Sequence, residues 1–389
     1  MKLRSFGPKV LCALLLLLST STLSFAQTEN SAAIDCSGAT PGAFTSIEQA
    51  ISSSPDHTSF TLAGNCTETT IVIQHRNDLG FFAAAPVTIQ VSPTSPQVLD
   101  ITHSENISFG GPITFTGSQG VIVSGSTGVL FGGVTFQNSS QFGITSTNSD
   151  LLVSEGSITA NARTGIVISG GTVELQGVNI SNNGRLGISA ETTHLIMSDS
   201  NAGPPLVTNN GVGGVQLFNS SQGDFTDLQI NNNAGGNFGL LALTNTAVVM
   251  QGGSINGNAG IAVTCSSTSH CEFSQTQINS NTGGGIRTST HSELELDGAV
   301  QISGNGGTGI LVDQHSAYTS NGGNTISNNA GDALIVNALS TLNLIAPDTV
   351  TATGANLALN CNNGSLVTGD ISAYKPKKCG TQFQAIPIH

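Results

Sequence analysis

An aliphatic residue followed by a short polar stretch ending in Asn recurs along the middle of the chain. The instances are Val134-Thr-Phe-Gln-Asn138, Ile158-Thr-Ala-Asn161, Ile180-Ser-Asn-Asn183, Val207-Thr-Asn-Asn210, Ile230-Asn-Asn-Asn233, Ile255-Asn-Gly-Asn258, Ile278-Asn-Ser-Asn281, Ile302-Ser-Gly-Asn305 and Ile326-Ser-Asn-Asn329. From 134 to 326 is 192 residues over eight intervals, a mean period of 24. A glycine followed by an aliphatic residue keeps step at Gly143, Gly165, Gly187, Gly214, Gly260, Gly285 and Gly309. A third marker, an apolar residue five before the Ile, stands at Val153, Leu175, Phe225, Met250 and Phe273. Three short apolar stretches per period, none long enough for a helix, predict three short strands per coil. Each coil leaves strand edges that the next coil pairs about 4.8 Å further on, so the stack grows into parallel sheets around an aliphatic core.

The expected fold is therefore all-β, a right-handed parallel β-helix, since parallel crossovers are right-handed. Nine marked coils with weaker ones on either side imply a rod of roughly 50–60 Å at that spacing. Asn at a fixed corner is expected to tolerate the left-handed conformation and to hydrogen-bond its neighbours above and below as a ladder. Leucine-rich repeats share a similar period and an Asn, but they need a dense Leu pattern that is missing here. Before the coils, Phe44, Ile47, Ala50 and Ile51 have helical spacing, with Thr45 or Ser46 as N-cap and a stop before Pro55. This helix is expected to cover the N-terminal end of the core, which an open β edge requires. The segments read as 1–26 export signal, 27–70 cap and first coil, 71–346 β-helix and 347–389 closing segment.

The first of these segments has a basic start at Lys2, Arg4 and Lys9, a short apolar run from Val10 to Leu18, and small residues at Ser24 and Ala26. That is the pattern of a secretory signal peptide, too short in its apolar part to span a membrane dependably. Its removal takes three of the ten basic residues and no acidic one, so the net charge of −13 becomes −16. So acidic a chain cannot hold a phosphate backbone, which argues against nucleic acid as partner. Beyond Cys12 of the signal, six cysteines fall into local couples: Cys36 with Cys66, Cys265 with Cys271, Cys361 with Cys379. A long solenoid keeps distant couples apart, so local disulfides are favoured in an oxidising compartment. No CxxC pattern supports a zinc site instead.

The opening Gly42-Ala-Phe-Thr-Ser-Ile-Glu-Gln-Ala-Ile51, followed by coils, resembles the start of many pectin lyase-like β-helix proteins, among them pectin methylesterases, polygalacturonases and pectate lyases. The resemblance implies the β-helix architecture over nearly all of the mature chain. It does not extend to catalytic signatures. The Asp-Asp and Gly-His-Gly motifs of polygalacturonase-like proteins do not occur, there is no Trp, and only four Arg remain after the signal.

Candidate chemistry lies in residues that recur at coil spacing. His291 and His315 each lie 13 residues after their coil's Ile and are expected to stack. Asp313 and Tyr318 share the second coil, and Glu293 follows His291. A His with a carboxylate and a Tyr has the groups to abstract and return a proton beside a sugar carboxylate, as a lyase or epimerase requires. The segment Gly309-Ile-Leu-Val-Asp-Gln-His315 is similar to the Asp-Pro-His segment of alginate epimerases, with Gln314 in place of Pro. The same histidines with Glu293 or Asp313 offer ligands to a divalent metal, although no HxH or HExxH pattern accompanies them. The plainer alternative is a pair of solvated corner residues. Arg163 and Arg185, each five after its coil's Ile, are expected to stack and are candidates to grip a uronate or sulfate. Glu174, Asp224 and Glu272, each six before its Ile, occupy alternate coils, too far apart to chelate one calcium ion; calcium is compatible with the chain but has no motif. Asn65, Asn106, Asn138, Asn179, Asn219 and Asn363 match Asn-x-Ser/Thr, as chance predicts in such a composition.

The sequence favours an exported, monomeric, non-catalytic carbohydrate-binding or surface-interaction module. The alternative is a polysaccharide lyase or uronate epimerase acting through His291, His315, Asp313 and Tyr318.

Overall fold

A computed structural model of the protein describes residues 30–92, 95–372 and 374–379. Residues 1–26, expected to be an export signal, lie outside the described residues. The chain winds as a right-handed parallel β-helix. One sheet contains 13 strands, one per turn, and a second contains 27, most turns contributing two segments separated by a corner. Every strand pairing in the two sheets is parallel, and each runs in register with the next turn, as Ile158 with Ile180, Ile180 with Val207 and Val207 with Ile230. Alternate residues point inward, because successive Cβ atoms on a strand face opposite sides. The inward set forms one continuous apolar core of aliphatic columns.

The column after each Asn corner runs Ile144, Ile166, Ile188, Val215, Leu240, Val263, Ile286, Ile310 and Leu334. Two sequence markers are out of step with it. Val263, preceded by Ala262, and not Ile261 after Gly260, pairs with Leu240 and Ile286. At the other marker, Phe136 rather than Val134 pairs with Ile158. At the first place Ala262 stands where a glycine precedes the column in most other turns, and Gly260-Ile261 repeats that pattern two residues early. At the second, Ser139 holds the ladder position that Asn holds in later turns, so the Asn marker selects the wrong residue.

The Asn ladder forms. The side-chain oxygens of Asn183, Asn210, Asn233, Asn258, Asn281, Asn305 and Asn329 each accept from the backbone N–H of the ladder Asn one turn before. Ser139, not Asn138, is the residue that donates its N–H to Asn161 and begins the series. The left-handed conformation falls one residue before each ladder position, at Ala160, Asn182, Asn209, Asn232, Gly257, Ser280, Gly304 and Asn328. The ladder Asn is therefore chosen for its amide and not for its φ angle. At the opposite corner a hydroxyl ladder does similar work: the Oγ atoms of Ser269, Ser292, Ser316 and Ser340 accept successive backbone N–H groups. Small hydroxyls lack the regular sequence frame of Ile-x-x-Asn, so the sequence does not announce this ladder.

The N-terminal helix is Ile47–Ser53, capped by Ser46, whose side chain accepts from the Gln49 N–H, and it ends before Pro55. Ile47, Ala50 and Ile51 are buried in the core. Glu68 accepts from the Ile47 N–H at 2.7 Å, placing a carboxylate at the helix start, where the helix dipole favours it. The three disulfides are Cys36–Cys66, Cys265–Cys271 and Cys361–Cys379. Beyond Pro347 the strands Thr349–Thr351, Leu359–Cys361, Leu366–Gly369 and Lys377–Cys379 still pair with the preceding turn, although the Asn marker has gone. Among the described residues no helix is long and apolar enough to cross a membrane. The three disulfides are consistent with an extracellular protein.

Candidate functional site

His291 and His315 occupy left-handed corner positions, φ 60° and 61°, immediately before the hydroxyl-ladder residues Ser292 and Ser316. Their rings stack on adjacent turns with centroids 5.2 Å apart and 6° between planes. Both are exposed. The other expected members do not join them. Tyr318 pairs with Leu294 and Leu342 in an inward column and is completely buried. Ala317 and Thr319 face out, so strand alternation turns Tyr318 in. Burial first, and the Asp348 carboxylate second, push its phenol well above the usual tyrosine range. Asp313 is half-buried and accepts from the Gln314 N–H and from Asn337. Glu293 turns to a different histidine, its Oε2 lying 3.5 Å from His270 Nδ1.

A second histidine stack exists at the same corner, near the start of the rod. His75 and His103 lie with centroids 5.4 Å apart and 17° between planes. Both are again in the left-handed region. The recurrence points to the corner geometry, which stacks whatever planar side chain falls there.

Arg163 and Arg185 do sit on adjacent turns, the Arg185 N–H donating to the Arg163 carbonyl at 3.0 Å, and both side chains are exposed. Neither enters an ion pair among the described residues.

The densest chemistry lies on the outer face of the strands that follow the hydroxyl corner. One outward column runs Glu174, Ile196, Asp224, Val249, Glu272, Glu295, Thr319. The neighbouring column runs His194, Gln222, Ala247, His270, Glu293. Acidic residues alternate with apolar ones until Glu295 falls directly beside Glu272. There the imidazole of His270 and the carboxylates of Glu272 and Glu295 each bring a ligand-type atom within 4.8 Å of the others. Asn321 donates to Glu295 at 2.8 Å and to Asp297 at 3.3 Å. Partial burial above all, then Glu295, raises the Glu272 carboxyl above the usual range, with Asp297 adding and His270 opposing. Spacing from the coil Ile hid this cluster: Glu272 is six residues before Ile278, whereas Glu295 is seven before Ile302. Three turns earlier in the same columns, His194 Nε2 meets Asp224 Oδ2 at 2.6 Å in a closed pair, with Gln222 donating to the same oxygen.

A separate groove of about 530 Å³ runs along the outer face of the 13-stranded sheet. Its wall is the segment from Asp199 to Pro204, part of the longest interval between successive ladder partners, Ile180 to Val207. Its floor is made of outward side chains on consecutive turns, Gln229, Ser254 and Gln277, with Asp227 at one side. Among the described residues no Lys, Arg or aromatic side chain lines it.

These features define the chain as a right-handed parallel β-helix repeat protein with polar outer faces. The family model for a right handed beta helix region matches residues 101–203. No curated protein sequence matches the chain. Among solved structures, the A-module of the Azotobacter vinelandii mannuronan C-5 epimerase AlgE4 is similar over 87% of this chain and 93% of its own, at 12% identity and a TM-score of 0.48. Pectate lyase Pel9A is similar over 92% of this chain and 79% of its own, at 12% identity and a TM-score of 0.40. The enzymatically active domain of tailspike protein 2 from bacteriophage CBA120 is similar over 82% of this chain and 48% of its own, at 13% identity and a TM-score of 0.41. Likeness of this order assigns no chemistry to the present chain.

Proposed function

We propose that the protein is an exported, non-catalytic carbohydrate-binding module that acts through its outer sheet faces. The observation that carries this reading is the groove beside the Asp199–Pro204 segment. Its volume suits a short run of sugar rings, and amide, hydroxyl and carboxylate groups converge on it, the donor and acceptor set that sugar hydroxyls require. The side chains of Gln229 and Gln277 are available there, and the absence of cations from the lining favours neutral over acidic glycans. The non-catalytic part of the reading is supported by the corner histidines, which lack a convergent acid or base. Tyr318 is inside the core and Glu293 faces His270.

The test is retention and turnover of the mature chain on immobilised neutral and acidic polysaccharides. Retention without chemical change, reduced on the order of tenfold by Gln229→Ala with Gln277→Ala, is the expected result, since each substitution removes polar contacts worth about 1 kcal/mol. New unsaturated ends or an altered uronate ratio, lost in His315→Ala, would instead establish the lyase or epimerase alternative. Retention unchanged by the double substitution would place binding outside the groove.

A further inference from the structure

We propose that His270, Glu272 and Glu295 form a binding site for a divalent transition-metal ion of the zinc class. The inference is independent of the carbohydrate reading and uses a different face of the rod. Its basis is geometric. Three side chains of the types that bind such ions, one imidazole and two carboxylates, come from two adjacent strands and already bring their ligand atoms within 4.8 Å of each other. Metal–ligand bonds of about 2.1 Å put tetrahedral ligand atoms about 3.4 Å apart, a closure within the reach of side-chain rotation. Glu293, 3.5 Å from His270, and solvent remain to complete the coordination.

Two further features set this place apart from the rest of the acidic column. The first is charge. Glu174, Asp224 and Glu272 are each separated by an apolar residue, whereas Glu272 and Glu295 are direct partners in register, an arrangement of like charges that costs stability on a sheet. Among the described residues neither forms an ion pair with a Lys or Arg, and His270 is the basic member of the cluster. A divalent ion would replace repulsion with attraction. The second feature is rigidity. Cys271 stands between His270 and Glu272, points inward, and is joined to Cys265 across the corner, both sulfurs being fully buried. This disulfide pins the strand that carries two of the three ligands, so little backbone ordering remains to be done on binding. The mixed nitrogen and oxygen set favours zinc or its neighbours over calcium, which takes six or more oxygens.

His194 provides an internal control. It lies in the same column as His270 but meets a single carboxylate, already closed at 2.6 Å and shared with Gln222. Among the described residues it is not part of a group of three ligand atoms.

The experiment is calorimetric titration of zinc chloride into the chelator-treated mature chain, with calcium chloride in a parallel titration. Cobalt absorption serves as a second reading of coordination. One zinc equivalent is expected, unaffected by excess calcium, together with a rise in thermal midpoint when zinc is added. His270→Ala and the pair Glu272→Gln with Glu295→Gln should each weaken zinc by more than about tenfold, the loss that even an outer partner of a metal ligand produces. His194→Ala should leave it unchanged. Circular dichroism of each variant checks that the coils have formed, and the conservative Gln substitutions keep side-chain volume so that loss of binding is read on a folded chain. Absence of zinc binding by the wild-type chain would overturn the proposal. So would binding that survives His270→Ala, or binding abolished by His291→Ala, which would place the ion at the corner stack.

Discussion

The turns before Ser139 and those after it build the same coil from different materials. In the early turns Phe60, Phe81, Phe109 and Phe131 stack in one inward column, with ring centroids 4.9, 4.6 and 5.6 Å apart. Phe115 and Phe136 stack in another and meet the first edge-on. In the later turns the columns are mainly aliphatic, and the corner is tied by the amide ladder from Asn161 to Asn329. A flat ring is close to the turn spacing in its stacking distance, so aromatic columns suit the repeat by packing alone. Aliphatic columns pack as well, and in the later turns the amide also satisfies corner backbone groups twice per turn, whereas the early turns carry a hydroxyl ladder through Ser126 and Ser149. The difference teaches that the spacing of the turns is the constraint, and that dispersion or hydrogen bonding can meet it.

The largest expected effect comes from breaking the ring column. Phe109 touches Phe81, Phe115 and Phe131 at once and is completely buried. Phe109→Ala should cost about 3–5 kcal/mol, the usual loss for a buried ring. Because each turn contacts mainly its neighbours, the damage should remain local. Hydrogen exchange is the measurement: protection should fall in the turns between residues 79 and 136 and persist beyond Asn161. Uniform loss of protection along the whole rod would contradict the idea of two separately built regions.

Next in size is the amide ladder. Asn233 donates its side-chain N–H to the Val207 carbonyl and to Asn258, and accepts from both the backbone and the side chain of Asn210. Asn233→Ala leaves several buried polar groups unpaired, at about 1–3 kcal/mol for each such group before relaxation. Chemical denaturation should show a loss of roughly 2–4 kcal/mol on that basis. Exchange should accelerate around Val207 and Asn258 while the phenylalanine turns are unaffected. A loss below that of an exposed Asn, such as Asn328→Ala, would mean that the ladder contributes register and not stability.

The same contrast explains what was legible in the sequence. The later turns announce themselves because Ile-x-x-Asn demands two residue types at a fixed offset. The early turns carry Phe at intervals that vary, 21 residues from Phe60 to Phe81 but 28 from Phe81 to Phe109, so no period emerges. The helix and the three cysteine couples were legible because capping and local pairing are short-range. The site was less so. The His291–His315 stack follows from equal spacing, but the inward direction of Tyr318 depends on counting strand parity from the corner. The His270 cluster was invisible because a turn longer by one residue shifts Glu295 out of the offset that marks Glu272. Variation confined to turns moves residues in sequence while leaving them in register on the strand, and a fixed-offset reading cannot follow it.

The smallest expected effect concerns acid, and it separates the two regions by chemistry. The amides of the later turns do not titrate, whereas the N-terminal edge depends on a carboxylate. Asp35 accepts from the backbone and side chain of both Ser37 and Thr40, and sits at the end of the first strand beside the Cys36–Cys66 bridge. The Ser37 and then the Thr40 hydroxyl hydrogen bonds hold its carboxyl down at about 2, against an ordinary 3.8. A depressed folded-state value means that the contribution is complete above the unfolded value and is lost as pH falls through the folded one. The window therefore runs from roughly pH 4 down to about pH 2. Asp35→Asn should loosen the first turn by a modest, constant amount at neutral pH. The difference from wild type should shrink across that window and vanish below it. Exchange protection of residues 35–40 followed against pH is the measurement. A difference that stayed constant down to pH 2 would show that the Asp35 side chain acts there by shape and not by charge.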